Sequence, residues 1–412
     1  ATTDEAVVRE LVNKGGATVY AGFDPTADSL HVGSLVPLLC LARFQRHGLR
    51  PILLAGGATG RIGDPSGKSE ERNLLTADVL RSNAESIKKQ MSAFLDFDDP
   101  QTGAILVDNS QWLGEYNLLD FLREIGKHFS VNYMIAKDSV KTRVETRESG
   151  ISFTEFSYML LQAADYLHLF KEYGCTLQVG GSDQWGNITA GMELIRKSTG
   201  ENAHGMTFPL ITTASGGKLG KTEKGAVWLD PERTSPFQLY QYFVRTDDRD
   251  VIPYLKYFTF LGLDEIASLS EELETAPEKR EAHQRLGELM TTLLHGEEAA
   301  RSALAASRLL YGGSVDDLSE RDLLAAAEGM DSSEAEEDLP AEGQHVVDLF
   351  VSAGMVKSRG EGKRLFKQGG MYVNNIRCGE DEATITAQRF LFGRYLLLRS
   401  GKRNYHLLAF PK

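Results

Sequence analysis

Hydrophobic and polar positions divide the first 230 residues into two kinds of segment. Short apolar runs bounded by Gly, Asp or Asn predict strands, and longer segments with apolar positions three or four apart predict helices. The predicted helices include Thr76–Phe94 and Ser152–Tyr173. The predicted strands are Ala17–Asp24, Arg50–Gly56, Ala104–Asn109 and Cys175–Gly180. This alternation predicts an α/β domain with a Rossmann-like, doubly wound parallel sheet over residues 1–230.

The pattern changes after residue 230, where strand signals give way to helical ones. Segments such as SPFQLYQYFV and KREAHQRLGELMTTLLHG predict an α-helical domain over residues 231–330. The next segment, 331–343, reads DSSEAEEDLPAEG, and its acidic, Ser-rich composition predicts a linker. Residues 344–412 then predict a separate compact unit.

Composition places the chain among ordinary globular proteins, with 42% hydrophobic and 25% charged residues in a length of 412. No apolar run approaches the roughly 18 residues of a membrane span, and no secretory leader is visible, so we expect no membrane partner. The three cysteines, Cys40, Cys175 and Cys378, lie far apart. Their number suits neither a disulfide framework nor a zinc site, and we therefore expect a reducing compartment, the cytoplasm.

Charge is distributed unevenly along the chain. Residues 344–412 contain 12 Lys or Arg against five Asp or Glu, which gives +7. Because the whole chain carries −13, the remaining residues carry −20. A small basic unit at the end of an acidic body predicts a nucleic-acid-binding domain, and a solvated charged face is the alternative.

Two turns that follow predicted strands carry residues suited to binding an anion. His31 lies in TADSLHVGSL, between a predicted strand and a predicted helix. The turn GGATGRIGDPSGKSEER offers backbone N–H groups together with Asp64, Lys68 and Arg72. It does not contain the phosphate-loop pattern GxxxxGK[ST]. Ordinary structural turns remain the alternative for both.

Two further segments carry polar groups at informative spacings. Tyr158, Gln162 and Asp165 share one stripe of a predicted apolar helix, where they could hold the ammonium and hydroxyl groups of a ligand. A solvent-facing stripe is the alternative. In ASGGKLGKTEKG, Lys218 and Lys221 lie on a Gly-rich loop, which suits a clamp for a charge that appears transiently.

In this order, the blocks resemble those of bacterial-type tyrosyl-tRNA synthetases, which are class I aminoacyl-tRNA synthetases. YAGFDPTADSLHVGS resembles the family's strand–turn–helix with its HIGH signature. GGATGRIGDPSG, GISFTEFSYMLLQAADY and VGGSDQWGNITAG resemble its tyrosine and ATP pocket, and KLGKT takes the place of the KMSKS loop. AGMVKSRGEGKRLFKQGGMYVNN resembles an S4-type RNA-binding domain. The resemblance implies that residues 344–412 form a small α+β S4-like domain and that 231–330 lie on the anticodon side.

The resemblance also implies three groups of site residues. Those implied to bind tyrosine are Tyr20 and Asp165 at its phenol, Asp64, Tyr158 and Gln162 at its ammonium, and Gln184 near its carboxylate. Those implied to bind ATP are Gly22, Asp24, His31, Gly33, Ser34, Gly181, Asp183 and Lys221. Those implied to act on the γ-phosphate and the departing pyrophosphate are Thr26, His31, Lys68, Arg72, Lys218 and Lys221.

The implied activity is that of a tyrosine–tRNA ligase. The tyrosine carboxylate would attack the α-phosphate of ATP, which is a substrate supplied with Mg²⁺, to give tyrosyl-adenylate and pyrophosphate. The 3′-terminal adenosine of tRNA(Tyr) would then accept the tyrosine. The resemblance implies a homodimer, and it implies neither a bound prosthetic group nor a resident metal.

Two positions depart from the family pattern. Ser34 replaces the second histidine of the HIGH signature, and Ala21 stands where cysteine is common. A tryptophanyl enzyme is the nearest alternative, which Tyr20 and Asp165 disfavour because two hydrogen-bonding groups suit a phenol. An RNA-binding protein with a decayed synthetase body is a second alternative, and it predicts the loss of Lys and Arg residues that this chain retains.

Overall fold

The computed structural model describes residues 1–66, 76–137, 140–141, 144, 150–217, 219–222, 225–316, 318–401 and 404–411. The chain divides into two units, Ala1–Asp230 and Pro231–Lys412. Among the described residues, no helix is both long enough and apolar enough to cross a bilayer.

The first unit is built on a five-stranded parallel sheet. Its strands are β1 (Thr18–Phe23), β2 (Arg50–Ala55), β3 (Ile105–Asp108), β4 (Cys175–Gly181) and β5 (His204–Phe208). Their spatial order is β3-β2-β1-β4-β5, and every neighbouring pair is parallel. β1 and β2 are buried at almost every position, which is expected of strands with both faces covered by helices.

The helices of this unit are α1 (Glu5–Lys14), α2 (Leu35–Arg46), α3 (Ala77–Met91), α4 (Ser110–Leu113), α5 (Leu118–Glu124), α6 (Val131–Ile135), α7 (Phe153–Tyr173) and α8 (Trp185–Thr199). A small hairpin of β6 (Lys221–Thr222) and β7 (Gly225–Ala226) follows. α7 begins at the cap residue Ser152, whose side chain accepts a hydrogen bond from the Glu155 N–H, and it ends at Gly174 in the left-handed conformation.

The strand order places a crevice at the carboxyl ends of β1 and β4. From β1 the chain crosses to β2 on one side, whereas β4 lies on the other side of β1. Ligands of open α/β sheets bind where the direction of winding reverses in this way. The turns that follow β1, β2 and β4 therefore meet at one edge.

The four strands expected from the sequence are present, and the α/β fold class is confirmed. The fifth strand, β5, was missed. Its sequence, HGMTF, is short and contains Gly205, and glycine is uncommon inside strands. Here a side chain at Gly205 would collide with Ile188 of α8, so the glycine allows the strand and helix to approach.

The second unit combines helices with a mixed sheet. Its helices are α9 (Pro236–Val244), α10 (Asp248–Phe258), α11 (Leu263–Thr275), α12 (Glu281–His295), α13 (Glu297–Leu309), α14 (Glu320–Ala327), α15 (Val346–Ser352) and α16 (Arg359–Lys367). Its strands are β8 (Asp331–Glu334), β9 (Gln344–His345), β10 (Met371–Val373), β11 (Ile376–Arg377), β12 (Thr384–Ile385), β13 (Tyr395–Ser400) and β14 (Asn404–Ala409). Five of these strands form one sheet in the order β11-β10-β13-β14-β8.

Both faces of that sheet are covered. Leu396 and Leu398 of β13 pack into a core with α15, whereas Tyr395 and Leu397 pack with residues of α13 and α14. This alternation is the two-residue period of a strand. The helices of 231–330 and the sheet of 344–412 therefore share a hydrophobic core.

The predicted linker at 331–343 is wrong at its start. Asp331–Glu334 form β8, which pairs in parallel with β14. The acidic composition pointed to a linker because these side chains face largely outward, but the strand is held by its backbone hydrogen bonds.

Candidate functional site

A cavity of about 410 Å³ opens at the carboxyl edge of the parallel sheet. It brings together fourteen of the residues singled out from the sequence: Tyr20, Gly22, Asp24, Thr26, His31, Gly33, Ser34, Asp64, Tyr158, Gln162, Asp165, Gly181, Asp183 and Gln184. They come from β1, β4, α7 and the turns after β1, β2 and β4.

The structure does not describe the side chains of the four predicted cations. Lys68, Arg72 and Lys218 lie outside the described residues, and Lys221 is described by its backbone, in β6. Their side chains therefore stay predictions.

The closed end of the cavity is formed by Tyr20 of β1 and Asp165 of α7, each only 1% exposed. The Tyr20 hydroxyl finds no hydrogen-bond partner among the described residues. A buried hydroxyl without a partner is costly, so a ligand group that bonds it would relieve that cost.

Asp165 is held by two donors that the sequence analysis missed. Trp112 Nε1–H donates to Oδ1 at 2.8 Å, and Asn109 Nδ2–H donates to Oδ2 at 2.9 Å. The Asn109 amide oxygen in turn accepts from the Ala58 N–H at 2.8 Å. Asn109 directly follows β3, and the rule that sites gather at carboxyl ends could have found it. Nothing local in the sequence marks Trp112.

Burial raises the pKa of Asp165 to about 8, although the bonds from Asn109 and Trp112 lower it. The nearby carboxylates Asp24 and Asp108 raise it further. Burial also raises the pKa of Tyr20 well above its ordinary value, so its hydroxyl stays protonated and can donate. The closed end thus holds a hydroxyl beside a carboxyl, and both groups can form a hydrogen bond with a phenol.

The middle of the cavity is a network of carboxylates and amides. Gln184 Nε2–H donates to Asp64 Oδ2 at 2.6 Å, and Gln162 donates to Gln184 Oε1 at 3.3 Å. The Tyr158 hydroxyl donates to Asp24 Oδ2 at 3.4 Å. With several carboxylates close together, this part of the cavity favours a cation such as an ammonium group.

The open end is formed by the turn between β1 and α2. His31 Nδ1 accepts a hydrogen bond from the Gly33 N–H at 3.0 Å, so the neutral ring carries its proton on Nε2. A side chain at Gly33 would lie 2.7 Å from the His31 ring. Glycine at position 33 therefore allows the His31 ring to lie over this turn.

This turn is bonded to the segment that follows the Lys218–Lys221 loop. The Val32 N–H donates to the Val227 carbonyl at 2.9 Å, and the Leu229 N–H donates to the Leu30 carbonyl at 2.8 Å. The Trp228 ring also lies edge-on to His31, with centroids 6.3 Å apart. The C-terminal end of the loop is thus anchored beside the open end of the cavity.

Two family models together match most of the chain. The family model for class I tRNA synthetases (W and Y) matches residues 13–312. The model for the tyrosine–tRNA ligase SYY-like C-terminal domain matches residues 322–408.

Individual relatives match over nearly the whole chain. The tyrosine–tRNA ligase of Opitutus terrae is 52% identical, and the alignment covers 98% of this chain and 95% of the relative. That of Bacillus caldotenax is 50% identical, with coverages of 99% and 96%. A C-terminally truncated mitochondrial tyrosyl-tRNA synthetase from Aspergillus nidulans superposes with a TM-score of 0.67 at 35% identity, over 75% of this chain and 89% of that chain. The chain therefore belongs to the tyrosine–tRNA ligases, a family of class I aminoacyl-tRNA synthetases.

Proposed function

We propose that the chain activates L-tyrosine with ATP, releasing pyrophosphate, and transfers tyrosine from the adenylate to the 3′-terminal adenosine of tRNA(Tyr). The observation that carries this proposal is the order of polar groups along one cavity. A buried hydroxyl and a buried carboxyl lie at the closed end, further carboxylates in the middle, and the turn with His31 and Gly33 at the mouth. Tyrosine presents a hydroxyl, an ammonium and a carboxylate in a matching order.

In this proposal the phenol lies between Tyr20 and Asp165, and the ammonium lies against the network around Asp64, Tyr158 and Gln162. The tyrosine carboxylate, near Gln184, attacks the α-phosphate, and pyrophosphate leaves toward the mouth. No side chain acts as a nucleophile. Catalysis is then positioning of the two substrates together with stabilisation of charge on the departing pyrophosphate.

At the mouth, Thr26 and the His31 Nε2–H meet the γ-phosphate. Gly22, Asp24, Gly33, Ser34, Gly181 and Asp183 border the nucleotide. Lys68, Arg72, Lys218 and Lys221 neutralise the departing pyrophosphate, with Mg²⁺ entering as part of the ATP substrate. Burial and the neighbouring Asp64 raise the pKa of Asp183, and a hydrogen bond from a ribose hydroxyl would stabilise the charged carboxylate.

The second unit supports the tRNA part of the proposal. α16 exposes Lys363, Arg364 and Lys367 on one helix of a domain with net positive charge. Cations placed in this way bind phosphates without reading sequence, and they fix the register of an RNA.

We also propose a homodimer that works in the cytoplasm. Six large apolar side chains are exposed on three described helices of the first unit: Leu118, Leu119, Leu122, Val131, Ile135 and Phe153. Exposed apolar groups at this density are typical of a surface that a partner covers, and the family suggests a second copy. The three cysteines are all free thiols, which suits a reducing compartment.

A pair of neighbouring tyrosines tests the assignment of the closed end. The rings of Tyr20 and Tyr166 lie 5.1 Å apart and both are buried, but the Tyr166 hydroxyl donates to the His204 carbonyl at 2.7 Å. We expect Tyr20→Phe to reduce the ratio of kcat/KM for tyrosine over phenylalanine by about tenfold in ATP–pyrophosphate exchange, because one bond to the substrate hydroxyl is lost.

Tyr166→Phe is the matched control. It should lower the free energy of unfolding by about 1–3 kcal/mol, since the His204 carbonyl loses its donor, and leave the selectivity ratio unchanged. Equal selectivity in the unmodified chain and Tyr20→Phe, or an equal loss in both variants, would contradict the assignment.

A further inference from the structure

One aromatic contact lies just outside the cavity and connects to its most buried carboxylate. The imidazole of His168 stacks face to face on the indole of Trp112, with centroids 4.1 Å apart and ring planes 11° from parallel. His168 follows Asp165 by three residues on α7, so both side chains lie on the same side of that helix. One helix therefore contacts the same indole twice, at its N–H edge through Asp165 and at its face through His168.

We propose that His168 is a positioning residue for tyrosine selectivity: its ring fixes the Trp112 indole in the orientation from which Nε1–H donates to Asp165. This inference rests on the proposed function, in which Asp165 binds the substrate phenol. It assigns to His168, a half-buried histidine three residues after Asp165 on α7, a role that is exerted through another side chain.

The geometry of Trp112 explains why a second contact is needed. Trp112 is buried in the core of the first unit, and α4, which carries it, is only four residues long, so the contacts of the ring rather than the helix set the orientation of the indole. An indole turns about a broad torsion next to its ring, so the stack limits a motion that the helix itself leaves open. Because hydrogen bonds weaken steeply as their angle bends, a tilt of the indole would cost Asp165 one of its two donors.

The loss would change the chemistry of Asp165 in a definite direction. Its bonds from Asn109 and Trp112 oppose the effect of burial on its pKa. Without the Trp112 bond, the carboxyl would hold its proton more tightly and accept less well from the phenol. Phenylalanine makes no bond at this position, so its use should hardly change.

The surroundings of His168 keep its ring neutral at physiological pH. Burial lowers the pKa of His168, while Glu172 on the same helix and Glu115 after α4 oppose this. The Tyr173 ring lies 6.4 Å away. The stack therefore operates through two neutral rings, and flatness rather than charge is the property that a replacement must supply.

The test compares flat and non-flat replacements in the full chain by tyrosine- and phenylalanine-dependent ATP–pyrophosphate exchange. We expect His168→Ala and His168→Leu to lower kcat/KM for tyrosine about fivefold to tenfold and that for phenylalanine less than twofold. His168→Phe, which keeps a flat ring, should restore the value for tyrosine to within twofold of the unmodified chain. His168→Leu keeps the buried volume, so the comparison holds if the alanine variant folds poorly.

A double-mutant cycle tests whether His168 acts through the Trp112 N–H donor. Trp112→Phe keeps a ring to stack but removes the N–H donor, and in that background His168→Ala should lower tyrosine selectivity by less than a further twofold. Phe170→Ala is the matched control, since Phe170 is also half-buried but points away from His168 on α7. It should leave the selectivity ratio unchanged.

Three results would overturn the proposal: an unchanged ratio in His168→Ala and His168→Leu, an equal loss for both amino acids, or the same loss in the Trp112→Phe background. These leave the proposed function intact, because the unmodified chain would still exchange with tyrosine. Absence of tyrosine-dependent exchange in the unmodified chain would overturn the proposed function and, with it, the role of His168.

Discussion

His31 makes two separable contributions, and three variants can measure them. Its Nδ1 caps the turn by accepting from the Gly33 N–H. In the proposed function, its Nε2–H meets the γ-phosphate. His31→Ala removes both contributions. His31→Asn retains an acceptor for the Gly33 N–H but is too short to reach as far as Nε2. Ser34→Ala removes the neighbouring hydroxyl, which stands where the family has its second histidine.

The two contributions differ in size. The capping bond lies at the exposed surface, so water can replace it, and its loss should cost at most about 1 kcal/mol of stability. A preorganised donor to a developing anion is worth about 2.7–4 kcal/mol of transition-state stabilisation. We therefore expect both His31 variants to form adenylate roughly 10²–10³ times more slowly, with tyrosine binding nearly unchanged. Ser34→Ala should slow the same step less than about tenfold, or ~1.4 kcal/mol.

Pre-steady-state formation of tyrosyl-adenylate measures these rates, and urea unfolding measures stability. His31→Asn should be as stable as the unmodified chain, but it should form adenylate as slowly as His31→Ala. Recovery of the rate in His31→Asn would mean that the cap, rather than Nε2–H, is what the reaction needs. If Ser34→Ala were the slowest variant, the phosphate contact would have been assigned to the wrong residue.

Three further predictions concern assembly, RNA and pH. If the chain is the proposed dimer, Leu119→Glu should give a monomer in light scattering, whereas Leu263→Glu, at the same 76% exposure, should leave the dimer intact. A dimer in both variants would contradict the proposed surface. Reversing the charge of Lys363 and Arg364 should leave exchange intact, weaken tRNA charging and flatten its dependence on salt, so an unchanged salt slope would refute the phosphate contacts. Asp165, with its pKa raised to about 8 by burial, holds a proton that the unfolded chain releases above about 4. Its contribution to the free energy of unfolding should therefore fall as the pH rises from 4 to 8. In urea unfolding, Asp165→Asn should lack this fall. An equal pH dependence in the variant and the unmodified chain would contradict the burial argument.

The charge variants are preferred to deletion of 344–412 because of the fold of the second unit. Tyr395 and Leu397 pack against α13 and α14, and β8 belongs to the same sheet. Removing the sheet would expose that core, and a loss of charging could then reflect damage to the helices rather than loss of RNA contacts.

The parallel sheet was predictable because its strands are apolar runs bounded by turn residues. The edge strand β5 was not predictable, because Gly205 weakens the strand pattern. The reason for this glycine is the close approach of Ile188, which appears only in the folded chain. β8 was hidden for a similar reason: an acidic edge strand held by backbone bonds has the composition of a linker.

The site residues also divide into those that the local sequence pattern predicts and those that it does not. The stripe of Tyr158, Gln162 and Asp165 was predictable, because helical spacing puts the three on one face, and all of them line the cavity. Trp112 was not, because it meets Asp165 across 53 positions of sequence through a contact made only when α4 and α7 pack. Residues that act by supporting others leave no local pattern.

The account is tested most directly by ATP–pyrophosphate exchange with single amino acids, using the full chain and Mg²⁺-ATP. It predicts exchange that depends on tyrosine, with phenylalanine and tryptophan much poorer because neither satisfies both Tyr20 and Asp165. Exchange supported equally by phenylalanine or tryptophan, or no exchange with tyrosine, would contradict the central claim.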